Sequence, residues 1–119
     1  MLIDNNKPIY LTIKEIIENM IIARLIKADE QIPSTTVLSL EYNVNHITIL
    51  KAMNLLVDEH IIYKKRGLGM FVTEQARSII LNKRLVQFND IYIHPLLKEA
   101  KQLGLTETDI IEMIKKGIV

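Results

Sequence analysis

The sequence predicts a mainly α fold with one small β-hairpin: a winged helix-turn-helix over residues 1–73, followed by a short helical dimerisation region over residues 74–119. Two observations carry this expectation for the first part. Pro33-Ser34 and Val44-Asn45 open two helices separated by one tight turn, and two strand-like runs, Ile61-Ile62-Tyr63 and Met70-Phe71-Val72, flank the basic, glycine-containing loop Lys64 to Gly69. A third observation carries the rest: from Thr73 onward large apolar residues recur at helical spacing.

In chain order, Pro8 suits the first position of a helix, where its missing N–H is no loss. Ile9, Ile13, Ile16, Ile17, Met20, Ile21 and Leu25 then mark one buried face. Ser34 is a good N-cap for the second helix, although Val37 stands where a reciprocal capping box needs an acid. Leu38, Leu40 and Tyr42 give this helix its apolar surface, and Asn43 fits the left-handed position of the turn. Asn45 can cap the third helix, whose inward stripe is Ile49, Ala52, Met53 and Leu56. Its opposite face carries Ile47, Lys51, Asn54 and Asp58, with His46 and Leu50 to one side, and His60 ends it in a left-handed conformation. Gly67 and Gly69 give the hairpin tip its backbone freedom.

Pro95 should kink or divide the later helical run, Gly104 should stop it, and Thr106 to Asp109 reads as the capped start of a last helix. Two or three helices cannot bury so many large apolar side chains alone. Ile80, Phe88, Ile91, Tyr92, Leu96, Leu97, Leu103, Ile110 and Ile114 are therefore expected in a two-fold dimer interface. The competing expectation is that this face packs back onto the first helix of its own chain.

Composition narrows the function. Nearly half the residues are hydrophobic and about a quarter charged, which fits a globular protein. Charges interrupt every apolar stretch, so no membrane span is expected. Met1-Leu2-Ile3-Asp4 lacks the blocks of a signal peptide, and the lack of cysteine fits a cytoplasmic protein. His46, His60 and His94 fall in separate elements with no metal-ligand spacing, and Gly67-Leu68-Gly69 is too short for a dinucleotide loop. No enzyme activity, metal or cofactor is expected. The net charge is +1, and residues 1–72 balance eight basic against eight acidic side chains.

The arrangement nonetheless points to double-stranded DNA. The start of a recognition helix meets base edges, which selects Asn45, His46, Ile47, Thr48 and Lys51. Ile47 can touch a thymine methyl, and Lys51 can reach phosphate or guanine. Thr48 can bond phosphate or base, or else its own backbone. Ser34, Thr35 and Thr36 make the opening of the second helix an anion site suited to phosphate. Lys65, Arg66 and Gly67 form a wing tip able to approach the minor groove, or a solvated basic hairpin.

From Pro8 to Val72 the chain resembles the DNA-binding half of GntR-family transcriptional regulators, on Pro8-Ile9-Tyr10, Pro33-Ser34, Leu38, Val44, Thr48, Ala52, Leu56 and Arg66-Gly67-Leu68-Gly69-Met70-Phe71-Val72. The resemblance implies a homodimeric repressor or activator on a palindromic operator, and a repressor is expected here. The short tail, with LKEAKQLGLT over residues 97–106, is similar to the YtrA-type subgroup, which implies a helical dimerisation unit and an ABC-transporter operon as the controlled genes. Departures are Thr36, His46 and Leu50, where relatives commonly carry arginine, and Arg24, Asp29 and His60, where they commonly carry glycine. Asp and His tolerate positive φ. The lost arginines imply a divergent operator read by Lys51, Arg66 and hydroxyl groups.

Two functions compete: a sequence-specific DNA-binding regulator, and a winged-helix protein-interaction module that does not bind DNA. The balanced charge favours the second, and Lys64-Lys65-Arg66 with the polar start of the third helix favours the first. No small-molecule effector is identified. A short helical tail lacks room for an enclosed pocket of ~300 Å3, which leaves a ligand at the dimer seam or between domain and tail, or regulation by expression level alone.

Overall fold

In the computed structural model, which describes residues 7–117, Pro8 is the N-cap of α1 (Ile9–Ile22), one residue ahead of its expected place. Ile13, Ile17 and Ile21 bury the predicted stripe, but its two ends do not follow it inward. Ile9 is exposed in the first turn, and Leu25 lies beyond the helix, where Arg24 turns the chain away at φ 61°. The Arg77 side chain closes the helix end by donating from Nε to the Ile22 carbonyl at 3.2 Å.

α2 (Thr35–Tyr42) starts as expected: the Val37 N–H donates to Ser34 Oγ at 3.1 Å. Leu38 is fully buried and Leu40 faces solvent. Asn43 takes the left-handed turn at φ 52°, and Ser39 Oγ donates to the Val44 carbonyl at 2.6 Å across it. α3 (His46–Asp58) opens on Asn45, whose Oδ1 accepts the Ile47 N–H at 2.7 Å. Its four predicted inward residues, Ile49, Ala52, Met53 and Leu56, are all buried. Positive φ at Arg24, Asp29 and His60 matches the three non-glycine residues singled out in the sequence.

β1 (Ile62–Lys65) and β2 (Gly69–Val72) form an antiparallel hairpin, with Ile62 opposite Val72 and Lys65 opposite Gly69. The segment before α2 adds a third edge: Ile32 N–H donates to the Met70 carbonyl and Val72 N–H to the Glu30 carbonyl, at 2.9 and 3.0 Å.

The chain divides into two compact units, the first through Leu81 and the second from Asn82 onward. The boundary thus falls inside α4 (Ala76–Phe88) rather than at residue 73, because Ala76 and Ile80 in its first turns complete the core of the first unit. Ile80 is fully buried there, so its expected place in a dimer interface is corrected: it is a core residue.

In the second unit, a π-helical turn over Asn89–Ile93 precedes α5 (His94–Gln102). His94 N–H donates to the Asn89 carbonyl, five residues back, and Pro95 sits in the first turn of α5, where it lacks a donor. Contrary to expectation the proline does not divide the run: helical conformation continues from Ala76 to Gln102, and the wider π turn accommodates the missing donor. Gly104 takes φ 71° before α6 (Glu107–Gly117). Thr106 N–H donates to Asp109 Oδ2 at 2.9 Å and Asp109 N–H to Thr106 Oγ1 at 3.2 Å, the reciprocal cap that the sequence suggested. The expectation drawn from Met1 to Asp4 lies outside the described residues.

Two outcomes follow from this packing. Ile17→Ala empties a fully buried site and should cost about 2–5 kcal/mol in urea unfolding. The hydrogen bond from the Thr106 backbone, and then that from its hydroxyl, hold the Asp109 carboxyl below its ordinary range. Folding therefore favours the carboxylate. Its stabilisation is present above the unfolded value of about 3.9 and is lost as pH falls through the lower folded value. Acid should unwind the start of α6 in circular dichroism, and Asp109→Asn should remove that part of the pH dependence.

Candidate nucleic-acid interface

The opening of α2 leaves Ser34 and Thr36 exposed and Thr35 half-buried. Ser34 Oγ is committed to the cap, which orients the helix end without covering it. Apart from the Val37 N–H that the cap takes up, the positive end of the helix dipole thus remains open beside two threonine hydroxyls.

α3 has Asn45, His46 and Ile47 exposed at its start and Thr48 half-buried. Burial of Ile49, Ala52, Met53 and Leu56 turns the opposite face outward, and that face carries Ile47, Leu50, Lys51 and Asn54. Lys51 is held: its Nζ lies 4.1 Å from the centre of the Tyr10 ring, a cation–π contact that ties α3 to the start of α1.

The hairpin presents Lys64, Lys65, Arg66 and Gly67, all exposed. Tyr63 and Phe71 stack across its strands at 5.9 Å, and Lys65 Nζ rests over Phe71 at 4.8 Å. At the tip, Gln31 Nε2 donates to the Leu68 carbonyl at 2.8 Å. At the base, Tyr63 donates its hydroxyl to Asp29 Oδ1 at 2.9 Å, and this bond raises the Tyr63 pKa above its ordinary value. Gly69 is favoured chiefly by its φ of 119°; a Cβ there would also stand 2.5 Å from Gln31 Nε2, so that side chain would have to shift from its bond to Leu68.

The three elements converge. An open hollow of about 260 Å3 is bordered by Ser34 and Thr35 from α2, Leu50 and Met53 from α3, and Lys64, Gly69 and Met70 from the hairpin. Hydroxyls and an ammonium group therefore rim an apolar floor. Tyr10, Gln31 and Leu50 are the residues here that the sequence did not place in the site. Tyr10 left a trace in the Pro8-Ile9-Tyr10 resemblance, and Leu50 in its departure from the arginine that relatives commonly carry there. The roles of Gln31 and Leu50 depend on a contact 37 residues away and on the hairpin's position over the helix. Among the described residues, no group of His, Asp or Glu is arranged to hold a metal ion.

Residues 9–72 match the family model of the bacterial regulatory proteins, gntR family. The chain belongs to the GntR family. It is 27% identical over 111 residues to the uncharacterized HTH-type transcriptional regulator YhcF of Bacillus subtilis, covering 93% of this chain and 90% of that one. A GntR family transcriptional regulator from Listeria monocytogenes superposes with TM-score 0.81 at 30% identity, over 98% of this chain and all of that one. The DNA-binding domain of AraR, in complex with operator ORX1, superposes with TM-score 0.55 at 34% identity, over 56% of this chain and 81% of that one. The winged helix-turn-helix is thus that of a GntR-type transcriptional regulator, and the relatives are regulators rather than enzymes.

The GntR wing supplies a direct test of its own geometry. Gly69→Ala should displace Gln31 and destabilise the fold by more than ~1 kcal/mol, whereas Gly67→Ala meets open space and carries only the strain of its φ of 78°. Urea unfolding of the two variants should rank Gly69→Ala as clearly the more damaging.

Proposed function

We propose that this chain is a homodimeric, sequence-specific regulator that binds double-stranded DNA at a palindromic operator. The observation that carries the reading is the convergence of the α2 opening, the outward face of α3 and the basic hairpin around one surface hollow. In this reading Ser34, Thr35 and Thr36 hold a phosphate, and Asn45, His46, Ile47, Thr48 and Lys51 enter the major groove. Lys65, Arg66 and Gly67 follow the neighbouring groove. The operator complex of the similar AraR domain supports the same partner class. A regulator of bacterial DNA works in the cytoplasm, and no described helix is long and apolar enough to cross a membrane.

The second unit supports the dimer. Phe88, Ile91, Tyr92, Leu96, Leu97, Leu103 and Ile114 are exposed, Ile110 is half-buried, and Ala100 is the one buried hydrophobic residue among those described from Asn82 onward. Open apolar hollows of about 480 and 320 Å3 border α5 and α6, sharing Ala100, Leu105 and Ile110. Side chains of a second copy would fill them. Two-fold pairing would then set the recognition helices about 34 Å apart, one turn of DNA. Repression is the simplest outcome, since occupying an operator requires no further surface. Membership of the YtrA-type subgroup and control of an ABC-transporter operon complete the proposal, on the likeness of residues 97–106.

Purified protein should protect a palindrome in the DNA upstream of its own gene against random-sequence competitor. Affinity should fall linearly with the logarithm of salt concentration, and Lys65→Ala should flatten that slope by about one unit if Lys65 meets a phosphate. Ile91→Asp should give a monomer in sedimentation and lose tight operator binding. Binding that is absent, or fully removed by competitor, would favour the protein-interaction module suggested by the balanced charge of residues 1–72.

A further inference from the structure

The outward face of α3 carries an unusual pair. Ile47 is 76% exposed and Leu50 is 45% exposed, although both lie in the first two turns of the helix proposed to enter the groove. Three residues apart, they sit on one face and are separated along the axis by about 4.5 Å. That is a little more than one base step of about 3.4 Å.

Of the side chains suited to two-point hydrogen bonding of guanine or adenine in the major groove, these two turns hold a lysine alone, and the N-cap Asn45 has its Oδ1 engaged by the Ile47 N–H. The lysine among them, Lys51, rests on the Tyr10 ring. Alongside the polar groups of His46 and Thr48, this helix thus offers base edges a hydrocarbon surface. The major groove of duplex DNA has one apolar group to meet it, the C5-methyl of thymine. The surroundings fit that partner: Leu50 borders the hollow that Ser34, Thr35 and Lys64 rim with groups suited to phosphate.

We infer that Ile47 and Leu50 form a methyl-reading pair that selects half-sites carrying thymines at adjacent base pairs, with Leu50 as a specificity-determining residue. The inference rests on the DNA-binding reading above and names the sequence class that such a site would take.

The test separates the two. The full chain is used to select duplexes from a random-sequence pool, and the enriched duplex is then remade with deoxyuridine in place of each thymine, which removes only the methyl. Adjacent thymines should be enriched in each half-site. Deoxyuridine at either should weaken binding about fourfold, the value of one buried methyl group, and at both by more than tenfold. Ile47→Ala combined with Leu50→Ala should bind thymine and deoxyuridine duplexes equally. Both side chains lie outside the core, so the helical circular dichroism of the variant should be unchanged. Selected duplexes that tolerate deoxyuridine throughout would overturn the methyl pair while leaving the regulator intact. A pool from which nothing is enriched would overturn both.

Discussion

The apolar seam between α1 and α3 fixes what the outer surface presents. Ile13, Ile17 and Ile21 close into one core with Ile49, Ala52, Met53 and Leu56. A helix buried along one stripe has no choice about the face it turns to solvent, so the rotation of α3 follows from four residues that cannot touch DNA. A polar contact sits at the edge of the seam. Lys14 of α1 pairs with Glu18 at 3.6 Å and with Glu59, just past α3, at 2.5 Å. Glu18 is 96% removed from solvent, so the gain from its charge is offset by desolvation. The triad restricts how the two helices slide more than it holds them together.

A second constraint grows from the first. Residues 30–32 pair with β2 and lead directly into Pro33 and Ser34, the start of α2. One short segment therefore anchors the hairpin and sets the origin of the helix whose N-terminus lies beside it. The Gln31 bond to Leu68 reaches the hairpin tip from the same segment. Shape at the candidate interface is held by backbone pairing, and two of its basic side chains rest on aromatic rings: Lys65 lies over Phe71, and Lys51 of α3 over Tyr10.

Local chemistry made much of this legible in the sequence. Ser34 and Asn45 cap because their side chains are short acceptors, and Asn43 and His60 take positive φ where a helix ends. The stripe of α3 was legible because its period is that of a helix. The failures share a different cause. Leu25 fits the spacing of α1 but lies past a helix end set by Arg24, and Ile80 looks like dimer surface until the first unit closes over it. Periodicity marks a residue as apolar without saying which body will bury it. Gln31 and Tyr10 join the site through contacts distant in sequence, which no local pattern encodes.

The balance of charge gains a meaning from this architecture. Eight basic against eight acidic side chains over residues 1–72 leave little of the sequence-independent attraction that holds most DNA-binding domains on any duplex. A single copy must then bind weakly wherever base contacts are imperfect. Linking two such modules converts the second contact into an intramolecular one, so affinity at a matched pair of half-sites rises steeply while single half-sites stay weak. The exposed apolar surface of the second unit is a feature that would force this linkage. Under the proposed dimer, low charge is no defect in a DNA reader: it suppresses binding to the excess of unmatched sequence, and pairing restores the affinity where two correct half-sites lie at the right spacing.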